Sequence, residues 1–233
     1  MDIKLSKRMQ AVADMVVEKR VVDIGCDHAF VSIYLANKPF VDNVVAMDVK
    51  TGPVDIASAN VRAYNLSDKI NVRMSDGFEN LEVGEAEVAV IAGMGGYLMI
   101  DILEGGKEHL ENGINLVLQP QSDIMAVREY LVHSGYKIIA EEMLIDEGKY
   151  YTVMKAVPAR NSEVSYNSEE MDYGPYLLAN RHPVLNQYLE FSKGKNEDLV
   201  KKLEQAGSEK SIERIKQLED EIEYIDNILQ KYY

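Results

Sequence analysis

From residue 21 to residue 157 the chain alternates short apolar, β-branched runs with longer stretches of helical period, and that alternation leaves few folds open. The runs cover residues 21–24, 43–47, 70–73, 87–92 and 114–119. The segments that follow them predict helices over 29–36, 54–64, 96–103 and 124–134, with only a short turn near Glu79 after the third run. Stacked βα units of this kind predict a doubly wound α/β domain, a parallel sheet with helices on both faces. Two further runs, 136–145 and 150–157, flank Asp146-Glu147-Gly148-Lys149, a short glycine-containing link that suits a hairpin. Seven strands are predicted, the last two closing the sheet as an antiparallel pair.

A chain of 233 residues, 46% of them hydrophobic, can bury one such core and still extend beyond it. Residues 158–173 are polar and aperiodic and read as a connection. Beyond them Leu185, Tyr188, Leu189, Leu199 and Leu203 lie on one helical stretch. Ile215, Leu218, Ile222, Ile225 and Leu229 recur at spacings of three and four, the a/d pattern of a coiled coil. Gly207-Ser208 offers a turn into an antiparallel helical hairpin; a single amphipathic helix docked on the core is the alternative. The predicted organisation is a domain over 1–157 that includes an N-terminal helix, a connection over 158–173, and a helical domain over 174–233.

The N-terminal 20 residues lack the apolar run of a signal peptide, and no later stretch reaches the ~20 apolar residues that span a bilayer. A cytoplasmic protein with no membrane partner is expected. The one cysteine, Cys26, excludes an internal disulfide and a cysteine-clustered zinc site, so no metal is expected. The net charge of −14 argues at first against nucleic acid. Its distribution softens that argument. Residues 1–20 carry five basic side chains, Lys7 and Arg8 among them, against three acidic. Residues 193–216 carry seven basic against five acidic, whereas residues 21–180 hold 25 acidic against 11 basic. The relatively basic ends are either a nucleic-acid-binding surface or ordinary solvated helix faces.

The strongest local signal is Val21-Val22-Asp23-Ile24-Gly25-Cys26-Asp27-His28, an apolar strand running into a glycine turn at a helix start. Such a turn exposes backbone N–H groups and admits a ligand against a backbone free of Cβ. One glycine is too few for the dinucleotide fingerprint, and Asp23 with Asp27 would repel a pyrophosphate. These acids suit a ligand carrying a cationic amino group and a sulfonium, which S-adenosylmethionine has. Cys26 reads as a small packing residue in this turn, and His28 as either a base or a structural hydrogen-bonder.

Asp48 ends the second strand, about 20 residues after Gly25, where a carboxylate can take both ribose hydroxyls of a nucleoside. Asp76-Gly77 ends the third, placing a carboxylate for an adenine amino group and room for its ring. The fourth run ends in Ala92-Gly93-Met94-Gly95-Gly96, whose glycines either let a flat base approach or pack the next helix against the sheet. Gln119 and Gln121 put two amides at the same edge, to read a base or to cap a helix.

Together DIGCDHAF, AMDV, SDGF, IAGMGG, LQPQ and the later GPYLL resemble the bacterial tRNA (adenine-22-N1)-methyltransferase family, the TrmK-type enzymes, over nearly the whole chain. The resemblance implies a class I, Rossmann-like methyltransferase domain with a C-terminal coiled-coil hairpin, S-adenosyl-L-methionine as cofactor, tRNA as partner and N1-methyladenosine as product. It implies a cofactor pocket lined by Asp23, Gly25, Cys26 and His28, then Asp48 and Val49, then Asp76 and Gly77, then Ala92, Gly93 and Met94. Lys7, Arg8, Gly95, Gly96, Gln119 and Gln121 are the candidate acceptor-binding residues.

Asp27 is the candidate catalytic group. Methylation at N1 leaves a positive charge on the adenine, which a carboxylate beyond the glycine turn would stabilise unless it only caps the next helix or binds the methionine amino group. Three other readings compete: a class I methyltransferase acting on a protein or small molecule, a non-catalytic cofactor-binding interaction protein, and a nucleotide-dependent oxidoreductase, which the missing glycines disfavour. The sequence leaves the oligomeric state open between monomer and dimer.

Overall fold

The structure, a computed structural model, describes residues 3–160, 164–206 and 209–233. The chain divides into two compact units, Met1–Tyr166 and Asn167–Tyr233. In the first unit the elements run α1 (Lys7–Asp14), β1 (Arg20–Ile24), α2 (Phe30–Ala36), β2 (Asn43–Asp48), α3 (Thr51–Ala63), β3 (Ile70–Met74) and β4 (Val88–Met94). They continue through α4 (Gly96–Gly105), α5 (Lys107–Glu111), β5 (Asn115–Pro120), α6 (Ile124–His133), β6 (Tyr136–Asp146) and β7 (Lys149–Pro158).

The seven strands form one sheet in the order β3-β2-β1-β4-β5-β7-β6. Strands β1 to β5 are parallel, and β7 runs antiparallel to both β5 and β6, as the sequence predicts. Side chains alternate across the pleat. Val21, Val44, Val88, Val90 and Val117 face one layer, where Val12 and Ala13 of α1, Ile33 of α2 and Ala57 and Val61 of α3 cover them. Val22, Ile24, Ala89, Ile91, Leu116 and Leu118 face the other, under Met99 and Leu103 of α4 and Val127 and Leu131 of α6. Burial on both faces is why these strands read as continuous apolar runs instead of alternating ones.

The helix α1 starts where the Ser6 side chain accepts a hydrogen bond from Met9 N, the usual way to satisfy a free donor at a helix start. Its far end is held by Lys155 of β7, whose ammonium donates to Met15 O at 3.0 Å and pairs with Glu18 at 2.7 Å. The first unit thus fixes its N-terminal helix against the strand ends.

The second unit holds α7 (Ser168–Tyr173), α8 (Pro175–Ala179), α9 (Pro183–Ala206) and α10 (Glu209–Tyr232). Lys193 pairs with Asp226 at 2.5 Å and Asn196 Nδ2 donates to Glu221 at 3.0 Å, so α9 and α10 lie antiparallel. Leu185 and Leu189 of α9 and Leu218, Ile225 and Ile228 of α10 are buried. The Gly207-Ser208 turn lies outside the described residues. The stretch 158–173, read from sequence as a plain connection, ends in α7, and the two units part between Tyr166 and Asn167. Asn167 and Glu170 form a capping box that nucleates α7, a local signal with no apolar period behind it. Among the described residues no helix is long and apolar enough to cross a membrane.

One interaction ties α6 to the hairpin from within the core. Arg128 and Glu141 are almost wholly buried, with guanidinium nitrogens 3.0 and 3.1 Å from the carboxylate. Removing one partner of such a pair is far more damaging than replacing both. Glu141→Ala should lower unfolding stability by about 3–5 kcal/mol in urea titrations, while Arg128→Met with Glu141→Leu should recover most of the loss.

Candidate functional site

The strand order reverses between β1 and β4, since β1 leads outward to β2 and β3 and the chain then returns to β4 on its other side. In open α/β sheets such a reversal leaves a crevice at the carboxyl ends of the strands. A cavity of about 590 Å³ opens there. It is lined by Asp23 of β1 with Gly25, Cys26, Asp27 and His28 beyond it, by Asp48 at the end of β2 with Val49 beyond it, and by Asp76 and Gly77 beyond β3. Ala92, Gly93 and Met94 of β4 complete this wall, so the structure brings every cofactor candidate and Asp27 to one place.

The glycine turn departs from the sequence reading in one respect. Gly25 N and Cys26 N both donate to Met47 O, at 2.8 and 2.9 Å, and Asp27 N donates to Asp48 Oδ2 at 3.2 Å. These N–H groups are used to bind β1 to β2 and are not presented to a ligand. What Gly25 offers is close approach: its φ of +75° suits glycine, and the terminal methyl of Met94 already lies 2.1 Å from where a Cβ would be. Seating a ligand over Gly25 therefore requires Met94 to swing, which its unbranched side chain allows.

Four carboxylates surround the cavity, and they differ in environment. Asp23 is buried and accepts from Ser32 Oγ at 2.5 Å. Burial pushes its pKa up to about 6, against the opposing effect of the Ser32 hydrogen bond. Asp48 accepts through Oδ2 from Asp27 N and through Oδ1 from Lys50 N at 3.0 Å, which fixes its carboxylate at the end of β2. Asp76 is exposed, beside the buried Ser75, whose hydroxyl donates to Gly77 O at 3.0 Å. Asp27 carries a side chain 73% exposed, with Oδ1 3.7 Å from His28 Nε2. The N-cap of α2 is Ala29 and receives no side-chain hydrogen bond, so Asp27 does not cap that helix. His28 stands edge-on to Phe30, ring centres 5.9 Å apart. The Cys26 thiol is inert, its pKa driven far up by burial first and by Asp23 and Asp48 next.

The acceptor candidates separate. Arg8 lines the cavity, whereas Lys7 is exposed on α1 and does not. Gly93 sits at a bulge where the β4–β5 register shifts between Ala92 and Met94, with φ +80°. Gln119 is fully buried and is not an open amide at the edge: its Oε1 accepts from Arg8 Nη1 at 2.7 Å and from Gly93 N at 3.2 Å, and its Nε2 donates to Pro120 O at 3.0 Å. Gln121 is exposed and comes within 3.8 Å of a Cβ built on Gly93. Neither amide caps α6, whose N-cap is Asp123. Gly96 is a packing residue, since a Cβ there would strike Ser122 O at 2.6 Å and Asp123 O at 2.8 Å. Gly95 is the N-cap of α4 and is not among the residues lining the cavity.

Sequence reasoning missed Ser32, Tyr151 and Met9. Ser32 meets Asp23 only because α2 folds back over β1, and Tyr151 comes to Arg8 from a strand 143 positions on, its ring centre 5.2 Å from the guanidinium carbon. Phe30 and Leu98 also line the cavity and, at 41% and 54% exposure, lie outside the core. Among the described residues no cluster of three or more His, Cys, Asp or Glu could hold a metal ion.

Comparison with known proteins gives the same reading of the fold. A family model described as TrmK, tRNA (adenine(22)-N(1))-methyltransferase, matches residues 21–227. The tRNA (adenine(22)-N(1))-methyltransferase of Bacillus subtilis (strain 168) is 32% identical over 98% of this chain and 98% of its own. The crystal structure of Streptococcus pneumoniae Sp1610 in complex with S-adenosyl-L-methionine superposes with a TM-score of 0.82 at 32% identity, covering 97% of this chain and 100% of that one. TrmK of M. capricolum, in complex with S-adenosyl-homocysteine, gives a TM-score of 0.78 at 25% identity over 96% of this chain and 99% of that one. On a family match that spans most of its length, this chain belongs to the TrmK family of tRNA (adenine(22)-N(1))-methyltransferases.

Proposed function

We propose that the crevice at β1 and β4 of this S-adenosylmethionine-dependent tRNA (adenine(22)-N(1))-methyltransferase holds the cofactor across the ends of β1, β2 and β3, and the acceptor adenine on the β4 side. The observation that carries the reading is the placement of Asp23, Asp48 and Asp76 at three successive strand ends around one cavity with Gly25 and Gly77 between them. Asp48, already held by two backbone N–H groups, has the position for the ribose hydroxyls. Asp76 has it for the adenine amino group, with Gly77 leaving room for the ring. Asp23, buried and negatively charged above about pH 6, faces the cationic amino group.

When bound, S-adenosylmethionine supplies an electrophilic methyl group on a sulfonium. The adenine N1 lone pair is free at neutral pH, so no side chain has to remove a proton before the attack, and positioning supplies much of the rate. N1 lies on the Watson–Crick edge, so the adenine has to leave its pair and its stack, at a cost of a few kcal/mol. The bulge at Gly93 keeps the β4 side of the cavity free of a Cβ where the ring enters. Asp27, at the open rim, stabilises the charge that N1 methylation leaves on the ring or takes a proton from N6.

The N-terminal arm and, separately, the second unit supply tRNA contacts outside the cavity, and a tRNA substrate supports a cytoplasmic protein. In the second unit Lys193, Lys201 and Arg214 are paired with Asp226, Asp198 and Glu221. Contacts to phosphate are therefore assigned to Lys195, Lys202 and Lys216 of that unit, with Lys7 of the arm.

Two variants separate cofactor binding from catalysis. Asp48→Ala should weaken S-adenosylmethionine binding in calorimetry by about 1–3 kcal/mol, the loss of a charged hydrogen bond. Asp27→Asn should leave that affinity nearly unchanged and slow single-turnover methyl transfer to tRNA at least ~100-fold. Unchanged binding in the first variant removes Asp48 from the site, and normal transfer in the second leaves Asp27 without a catalytic role.

Asp23 gives a pH signature. Its folded-state pKa of about 6 lies above the ordinary 3.8, so the fold favours the protonated form. The resulting cost is absent below about pH 4, grows as pH rises to about 6, and is constant above. Asp23→Asn should therefore stabilise the cofactor-free protein at pH 8 by up to about 3 kcal/mol, with the gain vanishing near pH 4, while its cofactor affinity falls. A gain that persists at pH 4 would show that the side-chain charge is not its source.

A further inference from the structure

We infer that Arg8 is the anion-binding residue of the cavity and that Gln119 is the positioning residue that aims it without cancelling its charge. The inference rests on the cofactor-and-tRNA reading above. Four aspartates line this cavity, yet the Arg8 guanidinium forms an ion pair with none of them, nor with any other carboxylate among the described residues. It is held instead by neutral groups. Its Nη1 donates to Gln119 Oε1 at 2.7 Å, and its carbon lies 5.2 Å from the Tyr151 ring centre, while the backbone N of Arg8 donates to Asp146 Oδ2 at 3.2 Å. Stacking occupies the face of a guanidinium and leaves its edge, a fork of N–H donors suited to carboxylate or phosphate. The guanidinium reaches the β4 side of the cavity that Arg8 lines, since Nη1, the nitrogen bonded to Gln119, is 3.2 Å from a Cβ built on Gly93.

The chemistry of Gln119 explains why an amide occupies a fully buried position. A buried polar group is costly unless its hydrogen bonds are made, and here three of the amide's four are: two accepted by Oε1, from Arg8 and from the bulged Gly93 N–H, and one donated by Nε2 to Pro120 O. The bulge removes Gly93 N–H from the strand ladder, and Gln119 replaces the lost acceptor. The same oxygen orients Arg8. An apolar residue would leave both donors unsatisfied. A carboxylate would satisfy both and neutralise the guanidinium. A neutral acceptor of this length orients Arg8 without setting an opposing charge beside it.

The occupant is an anion. A sulfonium and an N1-methylated adenine are both positive, so the cation of Arg8 serves neither. The carboxylate of the methionine moiety and the backbone phosphate of the acceptor nucleotide share the chemistry that a guanidinium fork recognises.

The test compares wild type with Arg8→Gln, Arg8→Lys and Gln119→Glu. Each is measured by calorimetry with S-adenosylmethionine, by KM and kcat for tRNA methylation, by the salt dependence of tRNA binding, and by thermal unfolding. Arg8→Gln should weaken one interaction about 10- to 100-fold, with partial rescue in Arg8→Lys. If the anion is the cofactor carboxylate, the loss falls on calorimetric affinity. If it is tRNA phosphate, the loss falls on KM for tRNA, and the slope of log affinity against log salt flattens by about 0.7–0.9. Gln119→Glu is decisive, because it keeps the shape and both acceptor bonds. It also sets a carboxylate oxygen against Pro120 O where Nε2 donated, so thermal stability should fall somewhat. The inference requires the folded variant to reproduce the same loss of binding, whereas a Gln119 that only supports the bulge would lose stability and leave binding as it was. Wild-type binding and KM in both Arg8→Gln and Gln119→Glu overturn the inference and leave the cofactor-and-tRNA reading intact. A wild-type protein that neither binds S-adenosylmethionine nor methylates tRNA overturns both together.

Discussion

The reversal of strand order between β1 and β4 governs everything at the working end of this protein. Adjacent parallel strands normally have their loops covered by the helices that follow, but where successive connections depart in opposite directions no helix crosses the gap. The first three strands turn one way and β4 and β5 the other, and the ends of β1 to β4 face one crevice. Each of β1 to β3 leads into an aspartate or a glycine there, and β4 bulges at Gly93. The helix α1, pinned by Lys155 and Glu18 at one end and by the Arg8 backbone at the other, closes the β4 side.

The electrostatics follow from that geometry. An acidic cavity in an acidic protein is unsuited to a pyrophosphate and suited to a ligand bearing positive charge. Burial of Asp23 stores a cost that a cationic ligand can relieve, so part of the stability of the cofactor-free domain is exchanged for affinity. Arg8 is the opposite element on the opposite side, a cation kept apart from four nearby aspartates by a neutral amide and an aromatic ring. The cavity is therefore polarised, acidic along β1 to β3 and basic where β4 meets α1.

Much of this was legible in the sequence for a physical reason: a parallel sheet covered on both faces must be written as unbroken apolar runs, and strands β1 to β5 begin and end within two residues of those runs. The aspartates could be assigned to one ligand because each follows such a run, and the fold puts all strand ends on one edge. What stayed hidden depends on long-range contact. Gln119 looks like an exposed amide because it stands beside Pro120 and Gln121, and only the bulge at Gly93 explains its burial. The partners Ser32 and Tyr151 carry no motif of their own. Short helices such as α5 and α7 escaped because a stretch of five or six residues has too few turns to show a period. The glycine turn was assigned free N–H donors by analogy with phosphate-binding loops, whereas here Met47 O takes two of them.

The central claim is that this cavity directs a methyl group from S-adenosylmethionine to N1 of adenine 22 in tRNA. The most direct measurement is incubation of the purified protein with labelled S-adenosylmethionine and unmodified tRNA, followed by nuclease mapping and nucleoside mass spectrometry. The account predicts N1-methyladenosine at position 22, and no labelled product when that adenine is replaced by guanine. Label at another position or on N6, or label that persists after the replacement, would contradict it.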